Sequence, residues 1–507
     1  MRVAVVGGGI TGLAAAHALA SASSPRGRPA HEVVLLEADA RPGGKVLTVR
    51  RDGCLLEAGP DAFLTTKPHA LHLVRALGLE AELIGPSEPR TVAVFWRGRL
   101  HPLPEGLALI APMRAGPLLR SSLFGLLEKA RMGCDLLLPA RRGDGDESLA
   151  AFVRRRLGQA AVDRLASPLL AGIYAGDVER LSLRATFPHL AEVERRYGSL
   201  IRGFVASRPT LAGASAAPDA RGRMAAGRTA AEGDDLPAAA PVEQGDGTSV
   251  ADPGGSAGLP LFMTLRAGMG RLVERLVEVL EAAGVELRVG TAVETVARRP
   301  GGYTLHLAGG GRVDADGVIL ACPAFAAAKL LARLAPEAAR LLDQIRYAST
   351  ATVSLAFPAT AAGAVPAGHG FVVARGEGVR ITACTCLSAK WPGRAPPGAV
   401  LLRAYVGSAL DPDALAMSDD EIVAEVRRDL ARTVGLTAAP LFTVVARWPQ
   451  AMPQYEVGHL ERLAEVDRRL AAFPGLALAG AGYRGLGLPD CIRQGEEAAR
   501  RLLASAE

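Results

Sequence analysis

The first residues whose spacing could do chemistry are Gly7, Gly8, Gly9, Ile10, Thr11 and Gly12, a G-x-G-x-x-G run directly behind the apolar stretch Val3-Ala4-Val5-Val6. Gly7 permits a tight turn, Gly9 lets backbone approach a pyrophosphate, and Gly12 lets a following helix lie close to the strand. Free N–H groups at the start of that helix favour an anion. A glycine turn alone is a weak sign, so its context decides. Glu37 closes a second apolar stretch, Glu32-Val33-Val34-Leu35-Leu36, where a carboxylate accepts from ribose hydroxyls. Together these residues predict a dinucleotide held by strand, turn and helix.

Other chemistries find little support. The six cysteines (54, 134, 322, 384, 386 and 491) form no C-x-x-C pair, and His69 and His72 lack a further ligand at metal-site spacing, so no metal is expected. Free thiols suit a reducing compartment, and the chain opens directly into a strand-like run, so a cytoplasmic protein is expected. The net charge of +6 is small for 507 residues and not gathered into basic clusters with aromatics, which excludes a nucleic-acid partner. It suits an anionic small molecule, with at most peripheral contact to a membrane surface.

The elements that must position these groups follow from periodicity. A chain of 507 residues calls for two or three domains. Residues 3–6 and 32–37 read as buried parallel strands, with a helix over Thr11 to Ala20 between them. Residues 85–205 read as mostly helical. Over 207–260 large apolar residues almost vanish, which predicts a disordered insertion. Leu272, Val273, Leu276, Val277 and Leu280 fall at helical spacing. Short strands are expected over 285–325 and an antiparallel sheet over 346–407. The last 35 residues return to strand, glycine turn and helix, and the fold class is mixed α/β.

The segment Glu37-Ala38-Asp39-Ala40-Arg41-Pro42-Gly43-Gly44-Lys45 resembles the Arg-x-Gly-Gly element of the flavin amine-oxidase superfamily. Glu57-Ala58-Gly59-Pro60-Asp61 resembles its next flavin-contacting turn, and Gly485-Leu486-Gly487-Leu488-Pro489-Asp490 its C-terminal one. A helix beginning near Asp490 would aim its positive end at the flavin and favour the anionic reduced form. Gly172-Ile173-Tyr174-Ala175-Gly176-Asp177, Ala185-Thr186-Phe187-Pro188 and Met452-Pro453-Gln454-Tyr455 narrow the likeness to porphyrinogen oxidases. Leu100-His101-Pro102-Leu103-Pro104, Lys390-Trp391-Pro392 and Leu401-Leu402-Arg403-Ala404-Tyr405-Val406-Gly407 are similar to the Gram-positive branch, which favours coproporphyrinogen III.

The resemblance implies FAD as cofactor, held by Gly7 to Gly12, Glu37, Ala38, Arg41, Gly43, Gly44, Lys45, Gly59, Pro60, Asp61, Ala62, Val293, Trp448, Leu486, Gly487 and Leu488. It implies a tetrapyrrole cavity lined by Gly172, Tyr174, His369, Cys384 and Tyr405. It also implies an FAD domain of the two-dinucleotide-binding type from residues 1–80, 261–325 and 470–507. A helical subdomain over 86–206 would border the cavity, and residues 326–469 would carry the substrate on a largely antiparallel sheet. In eukaryotic-type protoporphyrinogen oxidases an arginine before Leu-His-x-Leu-Pro pairs a propionate; Val92 stands at that position here. Arg97 and Arg99 are the expected replacements, with His101 and Arg90 nearby.

The implied reaction removes hydride from a meso-CH2 flanked by two electron-rich pyrroles, three times per molecule, with three O2 reduced to H2O2. It requires no catalytic acid or base, since the flavin supplies the redox chemistry. Partners implied are the porphyrinogen, O2 and the downstream ferrochelatase. The alternatives are protoporphyrinogen IX as substrate and, further off, an amine or carotenoid oxidoreductase, which would lack the Gly172–Asp177 segment. A flavoprotein without enzymatic activity would need no cavity.

Overall fold

The computed structural model describes residues 1–22, 31–104, 107–108, 111–112, 115–141, 143, 145–206 and 259–504. The insertion expected over 207–260 therefore lies outside the described residues, apart from Leu259 and Pro260.

A five-stranded sheet gathers three distant parts of the chain in the order Glu286–Arg288, Glu32–Leu36, Arg2–Val6, Gly317–Leu320, Leu476–Leu478. Every neighbouring pair in it is parallel. Parallel strands are covered on both faces, and their burial fits: Val3, Ala4, Val5, Val34, Leu35, Val318, Ile319 and Leu320 are wholly enclosed. Helices Ile10–Ser21 and Leu488–Ala504 cross on one face. A Cβ at Gly495 would collide with the Thr11 carbonyl, so glycine sets how closely these helices approach.

The second sheet has seven strands, in the order Phe442–Pro453, Tyr347–Pro358, Ala399–Val406, Ile381–Cys386, Gly370–Val373, Val92–Trp96, Arg99–Pro102. Its pairings are antiparallel except Gly370–Val373 beside Val92–Trp96. The alternation over 346–407 is thus realised. Residues 85–205, expected to be mostly helical, open instead with the hairpin Val92–Pro102. Its valines, Phe95 and Trp96 are good strand formers, and Arg97 and Gly98 turn with φ of 49° and 71°.

Side chains alternate across this sheet. Phe95, Phe371, Cys384, Leu402, Ala404 and Val406 face helix Asp419–Val434 in one apolar cluster. Val94, Val372, Ala383 and Tyr405 face the opposite way, toward Leu170 and Tyr174 of helix Ser167–Tyr174. A π-helical stretch, Val162–Ala166, precedes that helix, and Ala175 ends it in the left-handed region at φ 48°.

Candidate cofactor and substrate site

The glycine turn is shaped by what surrounds it. A Cβ at Gly7 would sit 2.8 Å from the Ala321 carbonyl oxygen, and one at Gly12 would collide with the Gly7 carbonyl. At Gly9, by contrast, a Cβ would meet nothing within 4 Å. Gly9 caps the Ile10–Ser21 helix and no side chain caps its first N–H groups. A helix N-terminus thus opens onto free space, as a phosphate would require.

Glu37 closes one side. Its Oε2 accepts from the Gly8 N–H at 2.5 Å and its Oε1 from the Asp39 N–H at 2.8 Å. Backbone bonds from Glu37 N–H to Arg288, from Gly290 N–H to Asp39 and from Thr291 N–H to Glu37 lay the segment that leads to Val293 along Glu37, the exposed Ala38 and Asp39. The other side is the Arg41–Lys45 loop. Gly43 donates to the Gly8 carbonyl at 2.7 Å, and Arg41 folds back onto the Gly44 carbonyl at 2.6 Å. Gly43 and Gly44 have φ of 100° and 54°, and the Gly44 Cβ position lies 3.3 Å from Gly9 Cα. Lys45 is accessible yet surrounded by protein, and this burial lowers its ammonium pKa. An anionic group such as a phosphate beside it would favour the charged form again.

The turn Glu57–Ala62 is fixed from the antiparallel sheet. Ala58 carbonyl accepts from Trp448 Nε1 at 2.9 Å and from Thr352 Oγ1 at 2.8 Å. Arg403 NH1 donates to the Glu57 and Gly59 carbonyls at 2.7 and 2.9 Å. Asp61 Oδ2 accepts from Lys390 Nζ at 2.9 Å and Trp391 Nε1 at 3.0 Å. Burial alone would raise the Asp61 pKa, but Lys390 and Arg403 outweigh it and hold the carboxyl well below its usual range. Pro60 and Ala62 are half-buried beside it.

At the C-terminal turn, Tyr455 OH accepts from the Gly485 N–H at 3.0 Å and donates to the Ala481 carbonyl at 2.5 Å. Leu486 and Gly487 lead into the helix that Leu488 begins, with Asp490 in its first turn held by Lys67 Nζ at 2.6 Å. An uncapped helix start over open space, an accessible cation beside it and a clipped turn form a cradle that fits FAD.

The tetrapyrrole residues divide. Tyr405 faces helix Ser167–Tyr174, its hydroxyl accepting from Arg403 NH2 and lying 3.4 Å from Thr385 Oγ1. Gly172 is exposed and a Cβ there would meet nothing within 4 Å. Tyr174 is buried edge-on to Phe187 and Tyr455, at ring separations of 6.0 and 6.5 Å, and burial raises its phenol pKa. His369 lies at the strand edge with Nε2 2.7 Å from the Ser87 carbonyl, and burial lowers its pKa.

Cys384 does not line the Tyr405 face. It is 2% exposed in the cluster under helix Asp419–Val434, because it directly follows Ala383, which does face Tyr405, and neighbouring strand residues point to opposite faces. Arg97 and Arg99 are exposed at the hairpin, away from the Arg403 end. The register runs Arg403–Thr385–Gly370–Val92, which puts Arg97 roughly 17 Å further along at about 3.4 Å per residue. Arg97 stacks on Trp96 at 4.6 Å. Near this end, Gly98 donates to Glu377, and a pocket of about 520 Å³ opens between Ala171, Val373, Arg375 and Thr382. That pocket touches none of the cradle residues.

Sequence reasoning missed Arg403 and Lys390 as supports of the Glu57–Ala62 turn. Lys390 and Asp61 lie 329 residues apart, so no local pattern announces them. Among the described residues no cluster of His, Cys, Asp or Glu could hold a metal, and no helix is long and apolar enough to cross a membrane.

The sequence profile of flavin-containing amine oxidoreductases matches residues 10–503. The chain is 38% identical to the coproporphyrinogen III oxidase of Bacillus subtilis, over 98% of this chain and 97% of that protein. It is 31% identical to the chloroplastic protoporphyrinogen oxidase 1 of Arabidopsis thaliana, over 98% and 86% respectively. A solved structure from Exiguobacterium sp. 255-15, provisionally assigned as a protoporphyrinogen oxidase, superposes with a TM-score of 0.79 at 33% identity, covering 98% of each chain. The chain belongs to the flavin-containing amine oxidoreductases. Within them it stands with the porphyrinogen oxidases of haem biosynthesis, and its cofactor is FAD.

Proposed function

We propose that this chain oxidises coproporphyrinogen III to coproporphyrin III, with three O2 reduced to H2O2. The observation that carries the reading is the full-length likeness to the Bacillus subtilis enzyme, at 38% identity, in a chain whose Gly9 cradle and Tyr405 face fit the two reactants. Bound FAD supplies the two-electron acceptor.

The chain's own residues bind and orient. Gly9, the helix start at Ile10 and Lys45 receive the pyrophosphate, while Glu37 accepts from the ribose. Arg403, Thr352 and Trp448 hold the carbonyls of residues 57 to 59, fixing the turn against which the flavin lies. Gly172 and Tyr405 flank the space for the macrocycle. Holding the substrate in one pose is the main service required, since the two pyrroles beside each meso carbon stabilise the cation left by hydride loss. In this reading Arg97 and Arg99, roughly 17 Å along the sheet from the Arg403 register, would meet the distal propionates. Four propionates on coproporphyrinogen, against two on protoporphyrinogen, make this end the discriminating one.

Protoporphyrinogen IX is the second reading, favoured by the Arabidopsis relative and the Exiguobacterium structure. Steady-state oxidation of the two porphyrinogens side by side, followed by porphyrin fluorescence, separates them. A higher kcat/KM for the tetracarboxylate supports the first reading, and a higher value for protoporphyrinogen IX replaces it with the second.

A further inference from the structure

Behind the Glu57–Ala62 turn the antiparallel sheet presses a cluster of ionised groups into the protein. Arg403 is 2% exposed, with NH1 donating to two turn carbonyls and NH2 to the Tyr405 hydroxyl and, at 3.6 Å, facing Asp61 Oδ1. Lys390 holds the other Asp61 oxygen, and the indole of Trp391, fully buried, donates to the same atom. Further back Arg394 lies 3.5 Å from Glu57 Oε1, both enclosed. Glu57 in turn accepts from the Met269 N–H and Thr48 Oγ1.

Three cations therefore face two carboxylates. Structural needs do not call for the third. Asp61 would be satisfied by Trp391 and Arg403, and the turn carbonyls by Arg403, Thr352 and Trp448. An arginine cannot shed its proton, so it cannot relieve the imbalance as a neutral group would. His369, whose ring is tied to the Ser87 carbonyl, is held neutral by burial and adds no charge.

We propose that the Lys390–Asp61–Arg403 triad is an electrostatic setting device that raises the reduction potential of the flavin, with Lys390 and Asp61 acting in opposite directions. The inference rests on the reading that Gly59 to Ala62 line the flavin. Reduction adds two electrons and one proton, leaving an anion. A surplus positive charge in a region shielded from water stabilises that anion more than the neutral oxidised form. The charge lies behind the turn, and it supplements the helix start at Leu488 rather than duplicating it.

The test is the midpoint potential of the FAD-loaded protein, measured by equilibration with a reference dye during reductive titration. Lys390→Met should lower the potential by at least the equivalent of a tenfold change in the reduced-to-oxidised ratio, about 30 mV for a two-electron couple. Asp61→Asn should raise it, and Lys390→Arg should restore the wild-type value. A purely structural role would not give shifts of opposite sign with rescue by the conservative cation. Unchanged potentials in both variants, or shifts of the same sign, overturn the inference. Lys390 lies at the partly exposed edge of the cluster, so its replacement tests the idea even where Arg403→Met fails to fold. The potential is read without any porphyrinogen, so a wrong substrate leaves this result standing, whereas wild-type protein without FAD would overturn both readings.

Discussion

Gly9 is the residue on which the cofactor assignment turns, because space opens in front of it and nowhere else in the glycine run. Gly9→Val sets its Cβ in that open space, so the fold should persist while bound flavin falls at least tenfold. Absorbance of the purified protein and flavin released on denaturation measure it; a variant that keeps stoichiometric FAD contradicts the cradle. At the other end, Arg97→Ala with Arg99→Ala should raise KM for coproporphyrinogen III several-fold more than for protoporphyrinogen IX, with kcat little changed. That pattern marks loss of binding common to ground and transition states. The difference should shrink with added salt, since exposed charges are screened over about 10 Å at 0.1 M. Equal KM effects on both substrates would remove the propionate role. Residues close in sequence were legible: Gly7 to Gly12 and Glu37 announce a dinucleotide because strand, turn and helix are consecutive. Cys384 was misjudged because strand parity depends on register, and register is decided by neighbours far along the chain.

At the scale of elements, the sheet acts on the cofactor turn through side chains. Ala58 carbonyl has two donors, Thr352 and Trp448, on neighbouring strands. Removing both, by Thr352→Val with Trp448→Phe, leaves a carbonyl without either and should cost about 1–3 kcal/mol in urea unfolding. Either single change should cost much less. A second clamp is titratable. His459 is fully buried, with Nε2 2.9 Å from the Tyr483 carbonyl, and burial lowers its pKa from 6.5 to about 4. The unfolded chain takes up this proton first as pH falls, so stability is full above pH 6.5 and declines toward pH 4 by about 1.4 kcal/mol per unit. His459→Gln, which keeps an N–H donor, should flatten that limb of the stability curve measured by unfolding at pH 7 and 4.5. An unchanged acid slope would show that other groups govern it. The parallel strands and the Leu272–Leu280 helix were legible from periodicity. The Val92–Pro102 hairpin was obscured by the helices that follow it, and its partner strand Gly370–Val373 lies too far along the chain to be paired from sequence.

For the whole molecule, one parallel sheet draws together the first, middle and last parts of the chain, so the cofactor site is complete only when all three have folded. The helix Ser167–Tyr174 packs against the Tyr405 face of the second sheet. Composition and motif order made the mixed α/β class and the FAD cofactor legible, while the charges around Asp61 were not, since ion pairing has no sequence period. On the proposed function, the protein selects a tetracarboxylate porphyrinogen for oxidation by bound FAD. The most direct measurement of that selection is parallel steady-state oxidation of coproporphyrinogen III and protoporphyrinogen IX by the purified yellow protein, with oxygen uptake recorded beside porphyrin fluorescence. A higher kcat/KM is expected for coproporphyrinogen III, with three O2 consumed per coproporphyrin III formed. Preferred oxidation of protoporphyrinogen IX, or porphyrin formation without oxygen uptake, would contradict it.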